Sequence, residues 1–340
     1  MVCARLTFSL KDTKSGMAHQ FLKVAILIIG IAIYALLWNT MTRFDGYDEL
    51  HRSNPSTLDA RIYDKVRIFL LFIGYNRSRH TLLAALLDAH PHVVVANDFN
   101  ILKQWITMPE IFDRKKYFIY ELIYAKSRYD VMYGVRSRLV NGVPVQYHYN
   151  VEGQWQGQIN EGVQVIGDKK AAQASKILLQ SEGREHLRNL ERKLGTKLKF
   201  IHVVRNPFDN IATLALRKAK LKKNEVQDNL ECDCHEELDD AIAEYSTQVE
   251  GTSQVKKNFP GRVLDVHGMD LMKNPRETLM KICDFLEITC TKKYLEDCVS
   301  IVSPVPSKTR QFVKWTEKQL KRVQMLIKNH SFLQSYSFEN

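Results

Sequence analysis

The stretch KVRIFLLFIGYNRSRHTLLAALL, from Lys65 to Leu87, decides the fold. Its apolar first part predicts a buried strand, and LLAALL predicts a helix. Backbone N–H groups at the start of a helix point outward without partners, and the helix dipole adds positive potential. The turn between strand and helix is therefore predicted to hold a phosphate or sulfate without a metal. Its polar side chains are those of Arg77, Ser78, Arg79, His80 and Thr81.

A second segment, HVVRNPFDNIAT from His202 to Thr213, repeats this plan. An apolar run ends at Arg205, a turn follows, and Thr213 lies in the helix after it, so a guanidinium and a hydroxyl can share one phosphate. Neither segment is a GxxxxGK(S/T) nucleotide loop, because Gly74 lacks a second glycine at that spacing and no Lys-Thr pair follows. Two separate anion sites predict a ligand that is phosphorylated at two separated places.

With both segments in this order, the chain resembles the sulfotransferases that use 3′-phosphoadenosine 5′-phosphosulfate (PAPS). In that family a first loop binds the 5′-phosphosulfate, and an Arg with a Ser or Thr binds the 3′-phosphate. The resemblance implies that Arg205 and Thr213 bind the 3′-phosphate here. The residues that it assigns to the 5′-phosphosulfate are Arg77, Ser78, His80 and Thr81.

The resemblance covers the chain from Lys65 to the C-terminus. The phrase LLDAHPHVVVAND, from Leu86 to Asp98, looks most like the Golgi members of the family, including the tyrosylprotein sulfotransferases. Arg310 lies in a segment that resembles the family's late cofactor-covering loop, and it is expected to reach the 3′-phosphate from the other side. The further family-like stretches are Val165 to Ala171, Arg262 to Leu286 and Ser307 to Trp315.

Sulfuryl transfer requires a base for the acceptor, in-line geometry and positive charge on the leaving oxygen. The resemblance implies that Asp98 is the base, although the family generally has Glu there, and that Lys169 supplies the charge, with Lys170 as the adjacent alternative. A second interpretation of Asp98 is that it caps a helix near Phe99 to Trp105. The fallback bases are His92 and His148.

Arg79 stands where the family loop usually has Gly. Glycine there permits close backbone approach to a ligand and unusual dihedral angles. Arg79 therefore either adds a direct charge contact to the cofactor, and then belongs with the cofactor-binding residues, or props the loop in a less competent shape. The sequence leaves both interpretations open.

Four apolar runs predict strands, and each is followed by a turn and a helical pattern. This alternation predicts an α/β fold with a central, mostly parallel sheet flanked by helices and a P-loop-like phosphosulfate-binding loop. Ligands of such sheets collect beyond the carboxyl ends of the strands, so the Arg77 loop, Lys169 and Arg205 are expected on one rim. The predicted strands are Arg67 to Ile73, Val163 to Ile166, Lys199 to Val204 and Arg262 to Val266.

Residues Ile101 to Gln158 are rich in Tyr, Trp and Gln and lack a clear period, which indicates an insertion between strands. Acceptor recognition is expected in this insertion. Its aromatic side chains suit stacking on sugar or aromatic faces, and simple packing is the alternative. They include Tyr147, His148, Tyr149 and Trp155.

The run from Val24 to Trp38 is free of charge, with basic residues before it and acidic residues after it. This pattern predicts a membrane anchor at residues 23–41 in type II orientation, after a cytoplasmic tail (1–22) and before a stem (42–64) and a lumenal sulfotransferase domain (65–340). A short span favours the thin membranes of the early secretory pathway, so a Golgi location is expected. A cleaved signal peptide is the rival interpretation.

The formal net charge of +11 favours an anionic partner. The predicted function is transfer of a sulfuryl group from PAPS to a hydroxyl or amine, on a glycan. The alternatives are protein tyrosine sulfation and a catalytically silent binding protein, which Arg79 and Asp98 suggest. A nucleotide kinase is disfavoured by the missing Lys-Thr loop, and no signature of nucleic-acid binding is present. A homodimer is left open.

A lumenal domain forms disulfides and carries N-linked glycans. Cys283 lies on the apolar side of a helical pattern and is expected to stay a buried thiol. No metal is predicted at Cys232 to His235, because no second ligand pair follows at zinc-site spacing. N-linked acceptor motifs occur at Asn76, inside the phosphate loop and expected to be unmodified, and at Asn329. The cysteines predicted to form two disulfides are Cys232, Cys234, Cys290 and Cys298.

Overall fold

The computed structural model describes residues 60–109, 116–134, 136–140, 143–223 and 232–339. Within them, five strands form a parallel sheet in the order β2-β5-β1-β6-β7, and β3 and β4 form a separate antiparallel pair. The predicted fold class, an α/β fold with a parallel sheet between helices, is confirmed. The strands are β1 (Ile68–Ile73), β2 (Val93–Asn97), β3 (Ser137–Val140), β4 (Val143–His148), β5 (Val165–Lys169), β6 (Lys197–Val204) and β7 (Val263–His267).

Helices cover both faces of the sheet, which is why β1 is apolar at every position. Ile68, Leu70 and Phe72 pack in one core cluster, and the alternate residues of β1 pack in a second cluster on the other face. The α-helices of the described residues are α1 (His80–Asp88), α2 (Ile101–Thr107), α3 (Lys116–Met132), α4 (Ala171–Leu179), α5 (Ser181–Leu194), α6 (Pro207–Lys223), α7 (His235–Asn258), α8 (Gly268–Lys273), α9 (Pro275–Phe285), α10 (Lys292–Ser300) and α11 (Glu317–Asn329).

All four predicted strands are present, with ends that differ by up to three residues. Two features of the sheet were not predicted. The first is β2, whose sequence VVVAN is a β-branched run at the edge of the sheet, where it pairs with β5. The second is the β3–β4 hairpin, which lies inside the predicted insertion. Both bear on the candidate site, because Asp98 follows the last residue of β2 and Tyr149 follows the last residue of β4.

The predicted tail and anchor, and most of the predicted stem, lie outside the described residues. Among the residues that the structure describes, no helix is both long enough and apolar enough to cross a bilayer. The last part of the predicted stem belongs to the folded unit, because Ala60–Tyr63 forms a 3-10 turn. Tyr63 is buried there against Tyr120 of α3.

The predicted cysteine pairing is wrong. Cys283 is not a free thiol but forms a disulfide with Cys290, and the two Cα atoms are 6.1 Å apart. Helix α9 ends at Phe285, and the chain reverses through Glu287, whose φ is 58°, which brings Cys290 back beside the helix. Cys283 is both buried and bonded, so burial alone did not identify a thiol. The other described cysteines, Cys232, Cys234 and Cys298, are free.

Candidate active site

The candidate site lies where the parallel strands end. β1 leads into the loop Gly74 to Thr81, here named the first anion loop, β5 ends at Lys169, and β6 leads to Arg205. Because parallel strands share a carboxyl edge, these groups gather on one rim. A direct contact joins them: Nη1 of Arg205 donates a hydrogen bond to the backbone oxygen of Arg77 at 2.9 Å. The two predicted anion segments are therefore neighbours.

The first anion loop owes its shape to positive φ angles at Gly74 (119°), Arg77 (68°) and Arg79 (71°). Gly74 cannot be replaced easily, because a Cβ there would lie 2.9 Å from Cδ2 of His202. The N–H of Gly74 donates to Oγ of Ser175 in α4 at 2.8 Å, which fixes the start of the loop. Left-handed residues at this density redirect successive N–H groups and are typical of anion-binding loops.

Inside the loop, Ser78 and His80 are buried. The hydroxyl of Ser78 donates to the backbone oxygen of Tyr75 at 2.9 Å and contacts the His80 ring. Burial holds the pKa of His80 well below its ordinary value, and the charge of Lys169 lowers it further. His80 is therefore neutral at physiological pH. Positive charge beside the loop comes from Arg77, Arg79 and Lys169.

Asp98 and two lysines form a cluster beside the loop. Oδ1 of Asp98 lies 3.2 Å from Nζ of Lys169 and 3.3 Å from Nζ of Lys170. The side chain of Lys169 is only 7% exposed and donates to Oγ1 of Thr81 at 3.3 Å, whereas that of Asp98 is 47% exposed. Burial lowers the pKa of Lys169, and the charge of Asp98 opposes that shift. A solvent-facing carboxylate thus stands beside a buried cation.

A buried carboxylate, Asp168, holds Asp98 in place. Oδ1 and Oδ2 of Asp168 accept the N–H groups of Phe99 and Ile101, both at 3.0 Å. Asp168 therefore caps the start of α2, and the side chain of Asp98, whose φ is 62°, points at the lysines instead. Burial raises the pKa of Asp168 to about 6.

The two fallback bases lie elsewhere. His92 precedes β2, whereas Asp98 follows it, so six steps along an extended strand, about 20 Å, separate them along the sheet. Nδ1 of His92 is 3.0 Å from the backbone oxygen of Gly162, so this nitrogen already has a hydrogen-bond partner. His148 is the exposed last residue of β4 and does not line either pocket described below.

Arg205, Thr213 and Thr309 form a group here named the second anion site. The guanidinium of Arg205 donates to the hydroxyls of Thr213 and Thr309, each at 3.1 Å. The two hydroxyl oxygens are 2.8 Å apart, and each also lies 2.7 Å from the backbone oxygen of Asp209. Burial lowers the pKa of Arg205 to about 10, so it remains charged at neutral pH. A cation and two hydroxyls thus converge on one point.

Arg310 braces the second anion site. Its Nη1 lies 2.6 Å from Oδ2 of Asp209, and its backbone N–H donates to Oδ1 of the same carboxylate at 3.0 Å. Both side chains are buried. The contact that Arg310 was predicted to make with a 3′-phosphate stays a prediction. The structure adds a second task, which is to tie the segment around Thr309 to the start of α6.

Two pockets open on the rim. The larger, of 590 Å³, is lined by Arg77, Thr81, Asp98, Lys169, Tyr149 and Arg217, among others. The smaller, of 420 Å³, is lined by Arg205, Arg310, Gly268, Met269, Pro306 and Tyr336, among others. Arg79 lines both pockets. The larger pocket therefore contains the Asp98 cluster, and the smaller contains guanidinium groups beside apolar side chains.

The sequence did not identify three of these residues. Thr309 directly precedes Arg310 in the sequence SKTR, from Ser307 to Arg310. Its hydroxyl group was the signal that could have identified it as a phosphate ligand. Asp168 directly precedes Lys169, but a buried cap between separate segments has no local pattern. Arg217 lies one helical turn after Thr213, so helical spacing places both on one face of α6. Of the described residues, no three His, Cys, Asp or Glu side chains are grouped to hold a metal.

A sequence model of the sulfotransferase family matches residues 70–292, which include the first anion loop, Lys169 and Arg205. The chain belongs to the sulfotransferase family. The predicted sulfotransferase family and enzyme class are thereby confirmed, and the predicted likeness to its Golgi members stays a prediction. The comparison with curated proteins finds no match.

Several solved sulfotransferases are similar to this chain at low identity. The sulfotransferase domain of the Synechococcus PCC 7002 olefin synthase is 15% identical, with a TM-score of 0.47, over 78% of this chain and 98% of that domain. Sulfotransferase STF9 from Mycobacterium avium is 12% identical, with a TM-score of 0.43, over 82% of this chain and 81% of that enzyme. Mouse sulfotransferase SULT7A1 was solved with PAP (adenosine 3′,5′-bisphosphate). It is 13% identical, with a TM-score of 0.42, over 82% of this chain and 92% of that enzyme.

Proposed function

We propose that this sulfotransferase moves a sulfuryl group from PAPS to a hydroxyl or amine of a glycan. The observation that carries the proposal is the contact between Arg205 and the backbone of Arg77, which makes neighbours of the first anion loop and the second anion site. One nucleotide with charged groups at its 5′ and 3′ positions spans both. PAP, the nucleotide solved with the mouse relative, carries phosphates at these two positions.

The nucleotide is divided between the two pockets. Its 5′-phosphosulfate lies on the first anion loop, where backbone N–H groups and the start of α1 favour an anion. Its 3′-phosphate replaces the mutual contacts of Arg205, Thr213 and Thr309, because a charge-assisted hydrogen bond is stronger than a neutral one. The nucleoside occupies the smaller pocket, whose apolar side chains suit a base.

Transfer needs one proton acceptor and one cation, and the rim supplies both. The acceptor oxygen or nitrogen attacks sulfur while the bond between sulfur and the phosphate oxygen breaks. Asp98 takes the proton of the acceptor, and Lys169 stabilises the charge on the leaving phosphate. Before the nucleotide binds, both lysines contact Asp98. The arriving phosphosulfate competes for these lysines and releases the carboxylate to act as a base.

The acceptor approaches through the larger pocket. Tyr149 and Arg217 also line this pocket, and an aromatic face with a cation suits a sugar that carries an acidic group. Asn76, which also lines this pocket, donates its side-chain amide to Glu244 of α7, so the acceptor nitrogen of its sequon is engaged in a hydrogen bond. The proposal keeps the predicted anchor at residues 23–41, which places the reaction in the lumen of the secretory pathway.

Calorimetric titration of the full-length chain with PAP tests the proposal. Binding with a dissociation constant in the micromolar to millimolar range is expected, as for ordinary enzyme substrates, and an absence of binding rejects the proposal. Transfer of radiolabelled sulfate from PAPS to glycans and to tyrosine peptides then identifies the acceptor class. Binding without any transfer favours the silent alternative, and magnesium-independent turnover excludes a kinase.

A further inference from the structure

Arg79 has an unusual place in the site. It lines both pockets, so its side chain forms part of the wall that they share. Its stem passes the start of α8, where a Cβ on Gly268 would lie 3.9 Å from Cδ of Arg79. A side chain at position 268 would therefore be in van der Waals contact with the stem of the arginine. Gly268, which has no side chain, thus lies close to the stem of Arg79.

The backbone of Arg79 is strained. At φ 71° and ψ 19° it adopts the left-handed conformation at the start of α1, and its side chain makes no capping hydrogen bond there. Glycine adopts this conformation without a steric penalty, whereas a residue with a long side chain does not. Strain of this kind persists only where the surrounding structure fixes the backbone, and such residues cluster at ligand-binding and active sites.

The N–H donors of the Arg79 guanidinium are not used by other described residues. Within the described part of the chain it makes no hydrogen bond and no salt bridge, unlike Arg205 and Arg310, whose contacts are given above. It is half-buried, and burial lowers its pKa, while Asp209 and Tyr149 oppose that shift. Five N–H donors in a partly desolvated wall are available to a ligand.

The charge around the smaller pocket defines that ligand. Arg79, Arg205 and Arg310 gather near one carboxylate, Asp209, and the two other arginines each lower the pKa of Arg205. With Lys273, Lys308 and Asp270, which also line this pocket, five cations and two carboxylates leave a local charge of +3. A phosphate monoester carries a charge of about −1.5 to −2 at neutral pH, which offsets most of this excess.

We propose that Arg79 is a specificity-determining residue that binds the 3′-phosphate of the nucleotide as a third cation, in the space that Gly268 leaves free. This inference rests on the proposed function and adds a residue to it. It also decides between the two interpretations of Arg79, because the left-handed backbone keeps the loop in the shape that glycine would give it. The arginine is thus a direct contact and not a distortion of the loop.

The experiment compares PAP with adenosine 5′-monophosphate, which lacks the 3′-phosphate, by titration of the full-length chain. Arg79→Gly should weaken PAP binding by about tenfold to hundredfold, as expected for a lost charge-assisted contact, and should change binding of the monophosphate much less. Arg79→Lys should give an intermediate loss, because it keeps the charge without the planar fork.

Thermal unfolding keeps a folding defect apart from a binding defect. Arg79→Gly relieves the strained backbone, so its unfolding midpoint should equal or exceed that of the wild type while its affinity for PAP falls. Glu161→Gly is the matched control, because Glu161 has a φ of 51° and lines neither pocket. It should relieve strain and leave PAP binding unchanged.

Each result decides a separate point. If the wild type binds PAP and Arg79→Gly binds it equally well or more tightly, the inference is wrong and the proposed function stands. If Arg79→Gly weakens both nucleotides by the same factor, Arg79 contacts the 5′ side and the assignment to the 3′-phosphate is overturned. If the wild type does not bind PAP, the proposed function itself fails.

Discussion

The first anion loop and the second anion site lie on the same rim but are built in opposite ways. The loop is shaped by backbone at positive φ, and the carboxylate beside it, on Asp98, is open to solvent and shared between two lysines. The second anion site is made of side chains that already contact one another, and the Asp209–Arg310 pair beneath it is buried.

This difference indicates a division of labour. Groups that are fixed by several mutual contacts are preorganised and lose little freedom when a ligand binds, so the second anion site suits tight binding. Groups that exchange partners suit chemistry, because their charge is available when the substrate arrives. We therefore expect substitutions near the loop to affect the rate, and substitutions at the second anion site to affect affinity.

The largest effect is expected at Asp98. Asp98→Asn should lower kcat by about 10²- to 10⁴-fold, the usual contribution of a general base. Asn tolerates the left-handed backbone of this position, so folding should be preserved. PAP affinity should not fall, because Lys169 and Lys170 lose a competitor. Steady-state sulfate transfer and PAP titration measure the two quantities, with Asp98→Glu, which keeps the carboxylate, as the control. A similar fall in PAP affinity would contradict the proposed division between rate at the first anion loop and affinity at the second anion site.

A second effect concerns the buried carboxylate of the loop region, Asp168, whose folded-state pKa is raised to about 6 by burial. A raised pKa favours the protonated form in the folded state, so the stability from this group is fully present below about pH 4 and is lost as the pH rises through about 6. Against Asp168→Asn, the wild type should lose about 2 kcal/mol of unfolding free energy between pH 4 and pH 7.

Urea unfolding of both proteins across this pH range measures the difference, and a difference that does not change with pH would contradict the assignment. Asp209→Asn serves as the contrast from the second anion site. Asp209 is neutralised by Arg310, so its replacement should destabilise the protein by about 3–5 kcal/mol by leaving a buried charge unpaired.

A smaller effect is expected at the second anion site. Arg205→Met should weaken PAP binding by about tenfold to hundredfold, and Thr213→Val by about threefold to tenfold, because the first removes a charged donor and the second a neutral hydroxyl. At saturating PAPS, kcat should change little in either variant. Titration and steady-state kinetics give both values, with the exposed Arg322→Met as control. A fall in kcat without a loss of affinity would reverse the proposed division of labour.

The sequence predicted the parts of the fold that have local patterns. The apolar runs of β1 and β6 and the turns after them were sufficient to place both anion segments on one rim, because the topology of a parallel sheet does the rest. β2 was missed, although its valine run was a usable signal. The β3–β4 hairpin was also missed, although an Asn-Gly pair, a common hairpin turn, separates the two strands in the sequence.

Contacts between distant segments were beyond a single sequence. Asp168 accepts hydrogen bonds from a segment about 70 positions earlier, and Thr309 meets Arg205 from about 100 positions later. The Cys283–Cys290 disulfide was missed because a helical pattern shows which side is buried but not where the chain returns after the helix ends. The neutral state of His80 likewise depends on burial that only the fold reveals.

The central claim is that one nucleotide joins the first anion loop to the second anion site. A crystal structure of the protein with PAP tests it most directly. The account predicts one PAP molecule, with its 5′-phosphate about 3 Å from the N–H groups of the loop and its 3′-phosphate at the same distance from the guanidinium of Arg205. A nucleotide that leaves either place empty, or two ligands bound separately at the two places, would contradict it.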